Sequence, residues 1–166
     1  MTVDRGIVGK PTGAWTVTVE RGPVTAFANA VGDENPIYRD RRVARDAGFD
    51  DLPAPPTFTF AMGFWGSFVE DQPDDPTGGT NPMHAVMGAL HGEGALVLHG
   101  EQEFTYHRPV EVDNVLRGQG HVADIYEKDT DSATMTFVVI KTEWTDAESG
   151  APVVTEQFNL IARLRK

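Results

Sequence analysis

The chain has 166 residues, of which 40% are hydrophobic, with a net charge of −11 and no cysteine. A chain of this length can bury one core unaided, and without cysteine it has no disulfide or thiolate site. The negative charge argues against nucleic acid as a partner. No apolar segment approaches the length of about 20 residues that a membrane helix needs, so we expect a cytoplasmic protein without a membrane span.

The first half of the chain is predicted to contain a strand and then helices. Alternating apolar and polar residues predict a strand over Trp15–Glu20, and "RGPVTAFANAVG" after it has helical spacing with a proline near its start. The segment "RRVARDAG" predicts a further helical turn that ends at Gly48, where a glycine can adopt the left-handed conformation. The stretch Thr57–Glu70 is apolar on nearly every side, which predicts a buried central helix.

The second half is predicted to consist of strands. A segment dense in turn-forming residues, about 71–82, predicts a flexible loop between the halves. After it, the strand-like segments are "ALVLHGEQEFTYHR", "VLRGQGHVADIYEKD", "SATMTFVVIKTEWTD" and "VVTEQFNLIARLR". A buried helix followed by a meander of long strands favours an α+β fold in which a curved antiparallel sheet wraps the helix.

One motif, "GDENPIYRD", resembles the hydratase motif of the MaoC-like hot-dog proteins. The matching positions are Gly32, Asp33, Asn35, Pro36, Ile37 and Asp40. The segments "APPTF" and "HGEQEFTYHRPVEVDNVL" are similar to the N-terminal, fatty-acid-synthase-type dehydratase branch of that family. The resemblance extends from about Val17 to Leu164 and implies a hot-dog fold in a single domain over residues 1–166.

The resemblance also implies a reaction. It is the reversible hydration of enoyl thioesters of CoA or acyl carrier protein to (3R)-hydroxyacyl products, with the thioester as substrate and no cofactor or metal. In the family, the aspartate at the position of Asp33 and a histidine five positions later hold a water, and a backbone N–H at the start of a helix polarises the thioester carbonyl. Asn35 is a candidate catalytic residue of the same motif. Asp33 and Asn35 are also residue types that cap turns, which is the alternative for both.

The chain departs from the family pattern at two positions. Tyr38 stands in place of the histidine, and a phenol with a pKa of about 10 is a poor base at neutral pH. At the helix start, Pro55 and Pro56 supply no N–H, which leaves the backbone N–H groups of Thr57 and Phe58 as the nearest candidate oxyanion donors.

These departures favour the substrate-binding, catalytically degenerate subunit of a heteromeric (3R)-hydroxyacyl-thioester dehydratase, whose hot-dog partner carries the aspartate and histidine. The first alternative is a self-sufficient homodimeric (R)-specific enoyl-CoA hydratase. The second is a non-catalytic acyl-thioester-binding module or a hot-dog thioesterase. Homodimer and heterodimer both remain open.

Two histidines on one predicted strand are candidates for a compensating base. His99 and His107 are an even number of residues apart, which predicts a shared face of the strand, although strand histidines are more often packing residues.

The predicted substrate-binding residues are Arg39, Arg41, Arg42, Phe58, Phe60 and Met62. The arginines form a basic patch suited to the phosphates of CoA or an acidic carrier protein, and their alternative is a solvated helix face. The apolar residues suit an acyl tunnel, and core packing is the alternative for them. The histidines show none of the close pairings typical of metal ligands, so we expect no metal site.

Overall fold

A five-stranded antiparallel sheet forms the larger part of the structure, a computed structural model that describes residues 4–166. The first three residues of the predicted domain lie outside the described part. The strands are β1 (Pro11–Thr18), β2 (Leu96–Tyr106), β3 (Val115–Asp129), β4 (Ala133–Asp146) and β5 (Pro152–Arg165). Their order across the sheet is β1-β3-β4-β5-β2, so β1 and β2 are the two edges. The predicted strands are confirmed, with β1 four residues earlier than expected at its start.

The helices lie between β1 and β2 in sequence. They are α1 (Arg21–Ala30), α2 (Arg41–Asp46), α3 (Phe58–Met62) and α4 (Pro82–Gly92), with 3-10 turns at Arg5–Ile7, Pro36–Tyr38 and Val69–Asp71. The helical turn after Asp40 is confirmed: the Asp40 side chain caps it, and Gly48 follows it with φ of 96°. Within residues 4–166, no helix combines the length and the apolar content needed to cross a bilayer.

The predicted helix Thr57–Glu70 is wrong in extent, because α3 ends at Met62. At Gly66 the chain has φ of 70° and runs so close to β1 that a Cβ would collide with the carbonyl oxygen of Thr18. The Thr18 N–H donates to the carbonyl oxygen of Gly66 at 2.8 Å. This backbone contact holds the chain against β1 in a conformation that suits glycine, and a continuous helix cannot make it.

Helix α4 was missing from the sequence prediction, which placed residues up to about 82 in a loop and treated the rest as strands. The side chain of Asn81 accepts from the N–H of Met83, and Pro82 occupies the first turn, so the helix begins with an ordinary cap. Val86 and Leu90 are buried against the inner face of the sheet. The Asn-Pro start was a readable signal, but alanine and glycine weaken the apolar periodicity that follows it.

Two apolar clusters fill the space between the helices and the inner face of the sheet. One joins α1, α2 and α3 to the strands and includes Val24, Phe58, Met62 and Trp144. The other lies under α4 and includes Val122 and Val138. The architecture is therefore α+β, with all four helices on one side of an antiparallel sheet.

Candidate functional site

The loop between α1 and α2 folds through two successive side-chain turns. Gly32 takes φ of 73°, and the carboxylate of Asp33 accepts from the N–H of Asn35 at 3.0 Å. The side-chain oxygen of Asn35 in turn accepts from the N–H of Ile37 at 3.2 Å. Both residues thus make the turn contacts that were the alternative to catalysis, and these contacts fix the direction of the Asp33 carboxylate.

Tyr38 is brought next to Asp33 by this loop. Its side chain is only 7% exposed, and its carbonyl oxygen accepts from the Thr25 hydroxyl on α1. Burial raises the pKa of Tyr38, and the charge of Asp33 and the hydrogen bond towards it raise the pKa further. The phenol therefore keeps its proton at neutral pH and faces the carboxylate as a donor.

The start of α3 holds the two predicted oxyanion donors, and both N–H groups have acceptors within the chain. The Thr57 N–H donates to the hydroxyl oxygen of Tyr106 at 3.0 Å, and the Phe58 N–H donates to the carbonyl oxygen of Pro55 at 3.1 Å. Thr57 has φ of 71°, a conformation that is strained for a β-branched residue. Such strain is common at functional sites, and it sets the direction of this N–H.

Tyr106 is a site residue that the sequence did not reveal. It lies on β2, 49 residues from its partner Thr57, so no local spacing connects the two. Burial raises the pKa of Tyr106, and the nearby Glu156 adds to the rise, while the hydrogen bond from the Thr57 N–H and the nearby Thr59 side chain oppose it.

Arg39 is engaged by its own loop. Its guanidinium donates to the carbonyl oxygens of Asp33 and Asn35 at 2.7 and 3.0 Å. It also donates to the side chain of Asn29 on α1. Beside it, Arg21 donates to the carbonyl oxygen of Arg39. The guanidinium of Arg39 therefore ties the Asp33 loop to α1.

The other two predicted phosphate-binding arginines lie on α2. Arg41 forms an ion pair with Asp51 at 2.9 Å, and this contact contributes to a lowered pKa of Asp51. Arg42 is exposed. Phosphate binding by these arginines stays a prediction.

His99 and His107 lie on opposite faces of the sheet, so the prediction of a shared face is wrong. A β-bulge between His99 and Gln102 adds one residue to β2 and reverses the alternation beyond it. The His99 ring lies 4.4 Å from the ring of Phe158, whereas a His107 ring nitrogen lies 3.1 Å from the Thr155 hydroxyl. Phe158 and Thr155 are three residues apart on β5 and point to opposite faces. A role as compensating base stays a prediction for either histidine.

The three apolar candidates have different surroundings. Phe58 and Met62 are buried in the core, where Phe58 packs edge-on against Phe27. Phe60 is 42% exposed and lines a cavity of about 270 Å³ between α3 and the inner face of the sheet. The polar residues of this cavity are Thr12, Thr59, Thr142, Trp144 and Glu156. The sequence prediction missed them, although the alternation of β5 places Glu156 on an otherwise apolar face.

An antiparallel sheet with helices on one face, together with an Asp–Asn–Pro loop between α1 and α2, is typical of the MaoC-like hot-dog class of dehydratases. The family described as "FAS1-like, dehydratase domain region" matches residues 6–156. The chain belongs to this family. The predicted resemblance and the α+β hot-dog fold are thereby confirmed.

Among sequence relatives, a UPF0336 protein of Saccharopolyspora erythraea is 34% identical over 98% of this chain and 93% of its own. A probable enoyl-CoA hydratase alpha subunit of Thermomonospora curvata is 26% identical over 81% of this chain and 42% of its own.

Two solved complexes from Mycobacterium tuberculosis share the fold. The ChsH1-ChsH2 complex matches with a TM-score of 0.69 at 23% identity, over 91% of this chain and 83% of the matched chain. The HadBC (3R-hydroxyacyl-ACP dehydratase) complex matches with a TM-score of 0.62 at 21% identity, over 90% and 95%.

Proposed function

We propose that this chain is the substrate-binding, catalytically degenerate subunit of a heteromeric (3R)-hydroxyacyl-thioester dehydratase that acts on acyl chains carried by CoA or acyl carrier protein. The observation that carries the proposal is the pairing of Asp33 with the protonated phenol of Tyr38. A hydratase needs a group at this position that takes a proton from water at neutral pH, and the phenol retains its own proton.

The second support is the state of the oxyanion position. The N–H groups of Thr57 and Phe58 already donate to Tyr106 and Pro55. A thioester carbonyl would have to displace one of these acceptors before the developing enolate is stabilised. Acid–base catalysis contributes about 10²–10⁴-fold and an oxyanion donor about 10²–10³-fold in other enzymes, so the isolated chain should be weak or inactive.

The third support is the edge of the sheet. Strand β2 is an edge strand, and its residues Leu96, Val97 and Leu98 are between 36% and 57% exposed. An exposed apolar edge is suited to pairing with another sheet. We propose a second hot-dog subunit with an intact aspartate and histidine as the partner, in line with the two-component names of the ChsH1-ChsH2 and HadBC complexes.

The test is hydration of crotonyl-CoA, followed by loss of the enoyl-thioester absorbance. We expect little turnover by the purified chain and a large gain when the hot-dog protein encoded beside it is added. The Asp33→Asn variant separates the hypotheses, because asparagine keeps the side-chain oxygen of the turn but removes the carboxylate. It should leave the activity of the complex nearly unchanged. Turnover of about 10 per second by the chain alone, lost in Asp33→Asn, would instead establish a self-sufficient hydratase.

A further inference from the structure

One wall of the cavity beneath α3 rests on two glycines of the sheet. On the inner face of β3, Gly118 and Gly120 leave room for neighbouring side chains: a Cβ on Gly118 would lie 2.6 Å from the ring of Trp144. A Cβ on Gly120 would lie 2.5 Å from the hydroxyl of Thr12. The rings of Trp15 and Trp144, 6.2 Å apart, rest over these glycines and form one wall of the cavity.

The cavity contains buried polar atoms that lack partners. Within residues 4–166, no hydrogen bond of ordinary geometry reaches Thr12 Oγ1, Thr59 Oγ1, Trp144 Nε1 or Glu156 Oε1. The residues Thr59 and Glu156 are only 3% and 5% exposed. Buried polar atoms normally have partners, so four orphans around one space indicate that something else supplies the hydrogen bonds.

The rest of the wall is apolar. Phe60 from α3, Ile140 from β4 and Phe158 from β5 surround the polar atoms. A ligand of this cavity is therefore mostly hydrocarbon, with its polar part directed at the four orphans.

The protonation of Glu156 limits which polar groups a ligand of this cavity can carry. Burial raises its pKa, and the approach of Thr59 and Trp144 offsets only part of the rise, since neither reaches full hydrogen-bond geometry with the carboxyl. In its protonated form the Glu156 carboxyl offers one donor and an acceptor, and the Trp144 Nε1–H is a donor only. The carboxyl group and the indole N–H can both donate to one oxygen atom of a ligand. An anionic ligand is disfavoured, because its charge would lie against the carboxyl group of Glu156.

We propose that this cavity binds an apolar ligand that carries one uncharged oxygen, as a hydroxyl or a ketone, which Trp144 and Glu156 recognise by hydrogen bonds. An unsubstituted hydrocarbon chain would leave all four orphans without partners. The identification of the ligand as the acyl part of a thioester rests on the proposed function. The preference for an oxygen rests on the cavity alone.

The test uses three probes with one carbon skeleton: indane, 1-indanol and 1-indanone. Binding to the full chain is measured by titration, and the indole N–H resonance of Trp144, assigned with Trp144→Phe, reports contact in a ¹H–¹⁵N spectrum. We expect the ketone and the alcohol to bind about tenfold more tightly than indane, the gain of roughly one good hydrogen bond. They should shift the Trp144 resonance downfield, and indane should not.

Variants identify the source of the preference. Glu156→Leu and Trp144→Phe should each reduce the ratio between indanone and indane towards one, while Glu156→Gln should keep it because an amide both donates and accepts. Glu103→Gln, on an exposed residue of β2, is the matched control and should keep the ratio. Equal affinity of the folded wild-type chain for indane and indanone, or binding of neither, would overturn the proposal.

The outcome is independent of the dehydratase assay. Oxygen-selective binding in a chain that never supports crotonyl-CoA hydration would overturn the proposed function and leave the cavity proposal standing. Hydration by the complex without any binding of indanone to the cavity would overturn the cavity proposal and leave the proposed function standing.

Discussion

At the scale of single residues, the Asp33 loop combines a fixed geometry with the proton chemistry of a phenol. The carboxylate of Asp33 is held by its own turn and faces the phenol of Tyr38. The positions of these two side chains do not depend on their proton chemistry, because the turn places residues 33 and 38 together whichever side chain residue 38 carries. An imidazole at the same position would have an ordinary pKa of about 6.5 and could accept a proton at neutral pH.

The first prediction follows from this separation. Tyr38→His should give the isolated chain a measurable but poor hydratase activity, and Asp33→Asn in the same background should abolish it. Adding Tyr106→Phe removes the acceptor of the Thr57 N–H and should raise the activity further, because the N–H becomes available to a thioester carbonyl. The measurement is crotonyl-CoA turnover. A folded double variant, Tyr38→His with Tyr106→Phe, that remains inert would favour a binding module that never had this chemistry.

At the scale of elements, the helix that the sequence predicts over Thr57–Glu70 is interrupted by a long-range contact. The apolar composition of the stretch is compatible with a helix, and local propensity gave no reason to end it at Met62. The close approach of Gly66 to β1 prevents the helix from continuing, since the hydrogen bond between Thr18 and Gly66 requires a left-handed residue without a Cβ.

The second prediction compares two glycines three residues apart in this segment. Gly66→Ala should lower the free energy of unfolding by at least about 2 kcal/mol, because the new Cβ meets the carbonyl of Thr18 and the φ of 70° disfavours alanine. Gly63 has φ of −62° and open space around it, so Gly63→Ala should be neutral or stabilising by up to about 1 kcal/mol. Urea denaturation measures both. Equal effects of the two substitutions would contradict the role given to the β1 contact.

A third prediction concerns the edge strand β2. Leu98 and Val115 are both 41% exposed, but only Leu98 lies on the open edge, since Val115 pairs with Thr18. Leu98→Lys should weaken association of the chain with itself or with its partner subunit, because a charge on a strand edge disfavours sheet pairing. Val115→Lys should leave association intact. Sedimentation at micromolar concentration distinguishes them, and a wild-type chain that is monomeric alone and in the presence of the partner would contradict this assembly.

At the scale of the whole molecule, a buried carboxyl makes stability depend on pH. Burial raises the pKa of Glu156, so the folded chain holds this proton to a higher pH than the unfolded chain. The stabilisation is complete below the unfolded pKa of about 4.3 and is lost as the pH rises through the folded pKa. The surface carboxylates Asp129 and Asp146 have lowered pKa values and act in the opposite sense, with stability lost as the pH falls.

The fourth prediction isolates the contribution of Glu156 by difference. The free energy of unfolding of the wild type, minus that of Glu156→Gln, should fall as the pH rises above the ordinary glutamate range, by at most about 1.4 kcal/mol per pH unit. Glu103→Gln should show no such trend. Denaturation curves at several pH values provide the test, and a difference that stays constant with pH would show that Glu156 is not buried as a neutral acid.

The sequence alone determined the strands, the turn motif and the family, because these depend on local patterns. Runs rich in β-branched and aromatic residues mark the four C-terminal strands, and the Asp–Asn–Pro motif folds its loop through hydrogen bonds between residues two positions apart. The replacement of histidine by Tyr38 was equally visible, and with it the expected loss of acid–base chemistry.

Tertiary structure alone decided where α3 ends, which face each strand histidine takes and how the cavity is built. The β2 bulge reverses side-chain alternation without any signal in the residue types, and the Thr57 N–H meets the hydroxyl of Tyr106 across 49 residues. Glu156 likewise becomes a buried acid only because the fold places it beneath α3, beside Thr59 and Trp144. Contacts between residues distant in sequence depend on how closely two backbones approach, and no local pattern encodes that distance.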